Sequence, residues 1–206
     1  MKVAFDINNV LRDTFLKAEQ IYQKFYIDEL DENEKEFDYE LNLPVTDLNN
    51  LIEHFKFNTV EDLFKFFYED FPMQIFGNSS SSLPNTFNIL NKIYEDLRDD
   101  HEILIISDEI QKSKPATLFF LSKYGCLVEK IKFFSKITIE TVWDECDIIV
   151  TSNPELLEES PGNIQTVKVD STYNQKHKSD FQIKDISEFE NLYKKLKLIK
   201  NDFIIG

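Results

Sequence analysis

Four polar positions that could carry out chemistry each follow a short apolar run. Asp6 follows VAF, Ser107 follows ILII, Lys136 follows IKFFS and the trio 151–153 follows DIIV. A carboxylate can act as a nucleophile, while hydroxyl and ammonium groups can stabilise negative charge that develops on a substrate. On these residues alone, a catalytic Asp6 and a merely solvated Asp6 both remain open.

The elements that must position these residues are strands that alternate with helices after Pro84. Strand-like runs are predicted to begin near Lys2, Glu102, Ile131, Asp147 and Thr166. This alternation predicts an α/β fold with right-handed crossovers and a parallel sheet covered by helices on both faces. Because the carboxyl ends of parallel strands meet at one edge of the sheet, we expect the four positions to share one cleft.

The chain between the first strand and Pro84 has a helical pattern. Apolar residues recur every three or four positions in segments that begin at Thr14, near Leu48 and after Asn58 or Thr59. The acidic run 28–40 is interpreted as a surface loop or frayed helix, and 77–82, GNSSSS, as a linker. The sequence therefore predicts a core formed by 1–14 and 83–206, with an all-helical insert at 15–82.

Composition limits the class of partner. The 206 residues carry a formal net charge of -15, which argues against nucleic acid, because binding to nucleic acid depends on Lys and Arg displacing counterions. A small phosphorylated ligand remains compatible with a local cationic pocket. With 19 Phe and only four Gly, the composition favours packed helices and strands over a loop-rich chain.

Neither a signal peptide nor a bilayer-spanning apolar run is evident in the sequence. We therefore expect a soluble, cytoplasmic protein that does not bind membranes. Cys126 and Cys146 lack zinc-site spacing, so we expect two reduced, partly buried thiols.

The stretch DINNVLRDT, residues 6–14, resembles the first motif of the haloacid dehalogenase (HAD) superfamily. That motif is normally Asp, any residue, Asp, Gly or Thr, Val or Thr, Leu, and then often an Asp-Thr pair. The resemblance implies that Asp6 is the nucleophile. Asn8 stands where the phosphatases keep an aspartate as general acid and base, and Asn9 replaces the usual small residue.

The later motifs match in part. Ser107 resembles the second-motif hydroxyl that binds a phosphoryl oxygen, and the segment SDEIQKSKPATLFFLSKYG that begins there is similar to the 5'-deoxynucleotidase-like branch. Lys136 resembles the third-motif lysine, with Lys112 and Lys114 as weaker candidates. In the fourth motif, TSN at 151–153 replaces the acids that hold Mg²⁺ in the phosphatases.

The resemblance implies a HAD-like Rossmannoid core in which the insert is a cap that shields the site and selects the substrate. The implied catalytic residues are Asp6, Asn8, Ser107 and Lys136. The implied substrate-binding residues are Asn9, Asp108, Thr151 and Ser152. Asp6 and Asn8 would be the metal ligands, and we expect their Mg²⁺ affinity to be weak because only Asp6 is charged.

Three functions remain open. The first is a phosphohydrolase that forms an aspartyl phosphate on Asp6 and acts, slowly, on a small metabolite such as a nucleoside monophosphate. The second is a non-catalytic descendant that binds a phosphorylated ligand or a protein. The third is a metal-independent hydrolase of the 2-haloacid dehalogenase kind. TSN at 151–153 resembles the fourth motif of that branch, but Leu156 occupies a position where it expects an aspartate.

Overall fold

The computed structural model describes residues 1–27, 48–109 and 112–194, without the side chains of 48–50 and 136. The acidic run 28–40 and the last part of the predicted C-terminal helix lie outside these ranges. Within the described ranges, no helix is long and apolar enough to cross a membrane. Both cysteines are free thiols, as predicted.

The core is one sheet of six parallel strands, which confirms the predicted α/β class. The strands are β1 Lys2–Asp6, β2 Glu102–Asp108, β3 Lys130–Phe134, β4 Ile148–Thr151, β5 Gln165–Val169 and β6 Phe181–Ile183. Their spatial order is β3-β2-β1-β4-β5-β6. The first five strands start at or within one residue of the predicted positions. The sixth was not predicted, because three residues are too few to show a pattern.

Strand β1 lies in the middle of the sheet, and its burial explains its composition. Val3 and Phe5 pack into the apolar cluster on one face, while Ala4 packs into the cluster on the other face. Strands that are buried on both faces read as continuous apolar runs rather than as alternating ones. Asp6 is therefore the last residue of a strand that is buried on both faces.

Helices cover the sheet and make up most of the described residues between β1 and β2. The α-helices are α1 Thr14–Tyr22, α2 Leu48–His54, α3 Val60–Phe64, α4 Thr86–Leu97, α5 Ser113–Lys123, α6 Glu140–Trp143 and α7 Pro154–Glu159. Turns of π-helix occupy Gln23–Ile27, Lys65–Asp70 and Met73–Gly77. The side chain of Thr59 caps α3 by accepting a hydrogen bond from the Asp62 amide, as the sequence pattern indicated.

The stretch predicted to be a linker is hydrogen-bonded to the loop after β1. The Ser82 amide donates to the Leu11 carbonyl at 3.1 Å, and the Asp13 amide donates to the Ser80 carbonyl at 3.0 Å. The Ser79 hydroxyl donates to the Asp13 carbonyl at 2.9 Å. The serines therefore hold the end of the helical segments against the loop that follows Asp6.

The described helical segments between β1 and β2 pack, together with Ala116 of α5, into a second apolar cluster that is rich in aromatic rings. Phe66 is fully buried at its centre. Its ring lies 5.2 to 5.9 Å, between centroids, from the rings of Tyr22, Tyr26, Phe55, Phe57, Phe67 and Phe71. Most of the described aromatic residues of these segments thus form a core. Whether it folds as a separate domain stays a prediction.

Replacing Phe66 tests this cluster. We expect Phe66→Ala to lower the free energy of unfolding by about 3 to 5 kcal/mol, because it removes a large buried ring and leaves a cavity. Phe119→Ala is the matched control, since Phe119 is 47% exposed and should cost no more than about 0.5 kcal/mol. Urea unfolding at a fixed pH measures both. Equal costs would show that Phe66 is not at the centre of a core.

Candidate active site

Asp6 stands at the topological switch point of the sheet. From β1 the chain builds outwards through β2 and β3, and then crosses back to place β4 on the other side of β1. In open α/β sheets, ligands bind at the carboxyl ends of the strands on either side of such a reversal. Asp6 ends β1 and Thr151 ends β4, so this pair marks the expected ligand position.

Both carboxylate oxygens of Asp6 accept hydrogen bonds. The Thr151 hydroxyl donates to Oδ2 at 2.7 Å, and the backbone N–H of Asn8 donates to Oδ1 at 3.1 Å. The side chain is nevertheless 2% exposed, and burial raises its pKa to about 7. The two hydrogen bonds oppose this rise in pKa, and the charge of Asp108 adds to it. Asp6 is therefore only partly ionised at neutral pH.

The Asn8 side chain is held away from a metal-binding role. Its carbonyl oxygen accepts hydrogen bonds from Arg12 Nη2 at 2.6 Å and from the Thr14 hydroxyl at 2.7 Å. These two donors occupy the lone pairs that a cation would need, and one of them is itself positively charged. The structure therefore does not fit the predicted role of Asn8 as a Mg²⁺ ligand. The described residues hold no cluster of three or more His, Cys, Asp or Glu side chains suited to a metal.

Arg12, which the sequence did not single out, is completely buried beside Asn8. Its five N–H groups match five acceptors, which are the Thr14 and Thr117 hydroxyls, the Phe76 carbonyl, Asn8 Oδ1 and Glu109 Oε1. The guanidinium also lies 5.0 Å from the ring centroid of Phe76 and 5.3 Å from that of Phe120. Every donor of this arginine is thus used inside the protein.

Glu109 neutralises Arg12 and connects it to Ser107. It forms an ion pair of 2.5 Å with Arg12, and neither side chain is exposed. Ser107 donates to Glu109 Oε1 at 2.7 Å, and Thr117 donates to Oε2 at 2.5 Å. Ser107 therefore joins the site through Glu109 and Arg12, and its hydroxyl proton is directed to Glu109 rather than to Asp6.

Ser152 supports the loop after β1 from the other side. Its hydroxyl donates to the Asn8 carbonyl at 3.3 Å and accepts from the Tyr173 hydroxyl at 2.8 Å. Burial raises the pKa of Tyr173 to about 12, so this tyrosine remains a neutral donor. Asn174 donates to the Ser152 carbonyl at 3.0 Å. The segment after β5 therefore holds Ser152 in place.

Asn9 and Asp108, which were predicted to bind substrate, have different surroundings. Asn9 has a backbone φ of 57°, which Asn tolerates better than most residues, and its side chain accepts a hydrogen bond from the Phe15 amide at 3.0 Å. It thus shapes the start of α1. Asp108 ends β2 and is half-buried. It lies close enough to Asp6 to raise the pKa of that carboxyl.

The backbone of Lys136 follows β3 in a short 3₁₀ turn, but its side chain lies outside the described residues. Its predicted role therefore stays a prediction. Of the two weaker candidates, Lys114 lies with Nζ 5.5 Å from the ring centroid of Phe133, and Lys112 is exposed at the start of α5.

The architecture resembles those of several solved hydrolase and dehalogenase structures. A HAD-like hydrolase from Bacteroides fragilis matches with a TM-score of 0.63 and 11% identity, over 91% of this chain and 98% of that one. A dehalogenase with an intermediate complex matches with a TM-score of 0.57 and 13% identity, over 93% of this chain and 96% of that one. A magnesium-bound HAD-hydrolase from Bacillus subtilis matches with a TM-score of 0.55 and 10% identity, over 93% of this chain and 97% of that one.

The fold is the HAD-like fold. The sequence itself matches no protein-family model and no curated protein. At identities of 10% to 13% the likeness extends to the architecture alone, and the chemistry of this chain must be argued from its own residues. Within the HAD-like fold, this chain combines a carboxylate at the end of the first strand with a buried arginine in the loop that follows.

The sequence reasoning missed Arg12, Glu109 and Tyr173. A signal existed for Arg12, because it is one of only two arginines in the chain and directly follows the apolar pair Val10 and Leu11. Arginine is the cation best suited to a buried ion pair, because its planar group makes several directed hydrogen bonds. Nothing in the sequence pointed to Glu109 as its partner, since the two are 97 positions apart.

The raised pKa of Asp6 predicts a pH-dependent stability. The folded state binds a proton that the unfolded state releases between about pH 4 and pH 7, so the contribution of Asp6 to stability falls as pH rises through this window. We expect the stability of Asp6→Asn, relative to the unmodified protein, to increase by about 2 to 3 kcal/mol between pH 5 and pH 8. Urea unfolding at both pH values measures this, with exposed Asp99→Asn as the control. A constant difference would contradict the raised pKa.

The buried ion pair predicts a large effect of a small change. Glu109→Gln leaves the charge of Arg12 uncompensated, so we expect the free energy of unfolding to fall by about 3 to 5 kcal/mol. The control is Glu190→Gln, which removes the same charge from an ion pair with Lys92 at the surface. It should cost less than about 1 kcal/mol. Chemical denaturation of both variants measures the two free energies of unfolding. Similar decreases in both would contradict the claim that Glu109 compensates a buried charge.

Proposed function

We propose that this chain is a slow hydrolase that uses Asp6 as a covalent nucleophile on a small phosphorylated metabolite, with weak or no dependence on Mg²⁺. The observation that carries the proposal is the Asp6 carboxylate at the switch point of the sheet, held through both oxygens. Hydrogen bonds to both oxygens fix the direction in which a carboxylate presents its lone pairs. An oriented nucleophile of this kind is the first requirement of covalent catalysis.

The reaction has two steps. An oxygen of Asp6 bonds to phosphorus while the bond from phosphorus to the leaving oxygen breaks. Water then attacks the aspartyl phosphate, which releases inorganic phosphate and restores the carboxylate. The backbone and hydroxyl donors around Asp6, from Asn8 and Thr151, lie where they can stabilise the carboxylate at the start and end of this cycle.

Two features support a slow rate. Asn8 cannot give a proton to the leaving oxygen, and general acid catalysis is typically worth 10² to 10⁴ in rate. The Arg12 charge is balanced by Glu109, so it does little to offset repulsion between Asp6 and an anionic substrate. A Mg²⁺ ion would supply that positive charge when bound. The neutral Asn8, Thr151 and Ser152 offer it few ligands, which supports weak binding at most.

The missing acid predicts a preference for good leaving groups. The para-nitrophenolate group leaves para-nitrophenyl phosphate without needing a proton, whereas the leaving oxygen of thymidine 5'-monophosphate needs one. The first substrate should therefore be hydrolysed at least about 10²-fold faster than the second. Release of phosphate measures both rates. The rate should rise with pH up to about 7, as Asp6 ionises.

Asp6→Asn should abolish this release, whereas Asp99→Asn, an exposed change of the same kind, should not alter it. If both substrates are hydrolysed equally fast and only with Mg²⁺, the proposal of an impaired site with weak or no dependence on Mg²⁺ is wrong. If a folded, pure protein releases no phosphate at all, the site is not a phosphohydrolase.

A second candidate is metal-independent hydrolysis of a 2-haloacid. It is favoured by the neutral Thr151 and Ser152 hydroxyls, which would be poor Mg²⁺ ligands. One structure that the fold resembles is a dehalogenase. Here Asp6 would displace halide from carbon to form an ester, which water would split to the 2-hydroxy acid. Halide release from 2-chloropropionate, lost in Asp6→Asn, would support this function over the first.

A further inference from the structure

The side chain of Asn8 is where the buried Arg12 network meets Asp6. Arg12 carries only hydrogen-bond donors, so its 2.6 Å contact with Asn8 identifies the atom facing it as the carbonyl oxygen. Thr14 donates to the same oxygen at 2.7 Å. The orientation of the Asn8 amide is therefore determined by its partners.

The amide nitrogen Nδ2 is the part of Asn8 that is left for a ligand. It makes no hydrogen bond within the described ranges of the chain, and the residue is only half-buried. The backbone nitrogen of the same residue donates to Asp6 Oδ1 at 3.1 Å. Nδ2 therefore belongs to the same residue whose backbone nitrogen contacts Asp6 directly.

Arg12 itself cannot turn to the ligand. All five of its N–H groups are engaged, and its charge is balanced by Glu109, which Ser107 and Thr117 hold in turn. Moving the guanidinium towards Asp6 would leave Glu109 as an uncompensated buried charge, which is strongly unfavourable. The charge of Arg12 acts through space to lower the pKa of Asp6, but its hydrogen bonds extend towards a ligand only through Asn8.

We propose that Arg12 is a positioning residue that fixes Asn8 as an amide donor to an oxyanion bound at Asp6, and that the same contact keeps divalent cations from this position. The ligand class is a phosphate or carboxylate group, because such oxygens accept an N–H donor and a metal ion does not. An aspartate at position 8 would pair with Arg12 instead of binding a metal. The inference rests on the proposed function only in taking the ligand at Asp6 to be an anion.

The first test uses inorganic phosphate as the probe. Its affinity is measured by calorimetry at pH 6 with EDTA present, where Asp6 is largely protonated and repels the anion least. We expect Asn8→Ala to weaken binding at least about tenfold, since a hydrogen bond to a charged group is lost. Asn163→Ala, an exposed change of the same size, should leave the affinity unchanged. An unchanged affinity in Asn8→Ala would overturn the donor role.

The second test uses Mn²⁺, followed by electron paramagnetic resonance. We expect Asn8→Asp alone to bind Mn²⁺ no more tightly than the control Asn163→Asp, because the Arg12 and Thr14 donors engage the new carboxylate. The triple variant Asn8→Asp, Arg12→Met, Glu109→Gln frees that carboxylate and should bind Mn²⁺ at least about tenfold more tightly. A purely structural arginine would not produce this difference. If the triple variant does not fold, the single variant decides, since tight Mn²⁺ binding by Asn8→Asp with Arg12 intact overturns the proposal.

The two tests separate this inference from the proposed hydrolase. Phosphate binding that depends on Asn8, in a protein without turnover, would support the positioning role and refute the hydrolase. Turnover that depends on Asp6, with phosphate affinity unchanged in Asn8→Ala, would support the hydrolase and refute the positioning role.

Discussion

The buried ion pair between Arg12 and Glu109 is the constraint on which the arrangement of the candidate site depends. Two charges without exposure to water are tolerated only when each is fully paired and hydrogen-bonded. Meeting this condition requires acceptors and donors from the loop after β1, the last helical turn before the serine stretch, α5 and the end of β2. These segments cannot shift independently without leaving one of the charges unpaired, so the pair determines where Asn8 lies.

Asp6 poses a second electrostatic problem, which the structure solves only in part. Its two hydrogen bonds stabilise the ionised carboxylate, while burial and the neighbouring Asp108 oppose ionisation more strongly. A carboxyl that titrates near neutrality is a common feature of functional sites, although structural networks also produce one. Here Asp6 lies where ligands bind to sheets of this topology, which favours a functional reason for tolerating its burial.

The two electrostatic features are connected through Asn8. Its backbone nitrogen faces Asp6, and its side-chain oxygen Oδ1 faces Arg12. A neutral amide is suited to this place, because it accepts from the cation on one side while leaving its nitrogen free to donate. An aspartate at this position would bring a second negative charge close to Asp6 and Glu109. A neutral Asn8 thus agrees with an arginine whose charge Glu109 already balances.

Much of the fold was predictable because its signals are local. Apolar runs gave the five longer strands, Thr59 and Pro154 marked helix starts, and Gly125, with a φ of 62°, marked the end of α5. The three-residue β6 had no comparable pattern. The serine stretch 77–82 had a linker composition, yet its hydrogen bonds to the loop after β1 come from distant residues.

For the candidate site, the sequence by itself determined that Asp6 and Thr151 meet, because each ends a strand and parallel strands end at the same edge. Only the tertiary structure decided what surrounds them. The same rule applied to Ser107 could not show that its hydroxyl serves Glu109, nor that Glu109 pairs with Arg12. Strand ends follow from local apolar pattern, whereas a buried ion pair forms between residues far apart in the chain, and its stability depends on the water that the complete fold excludes.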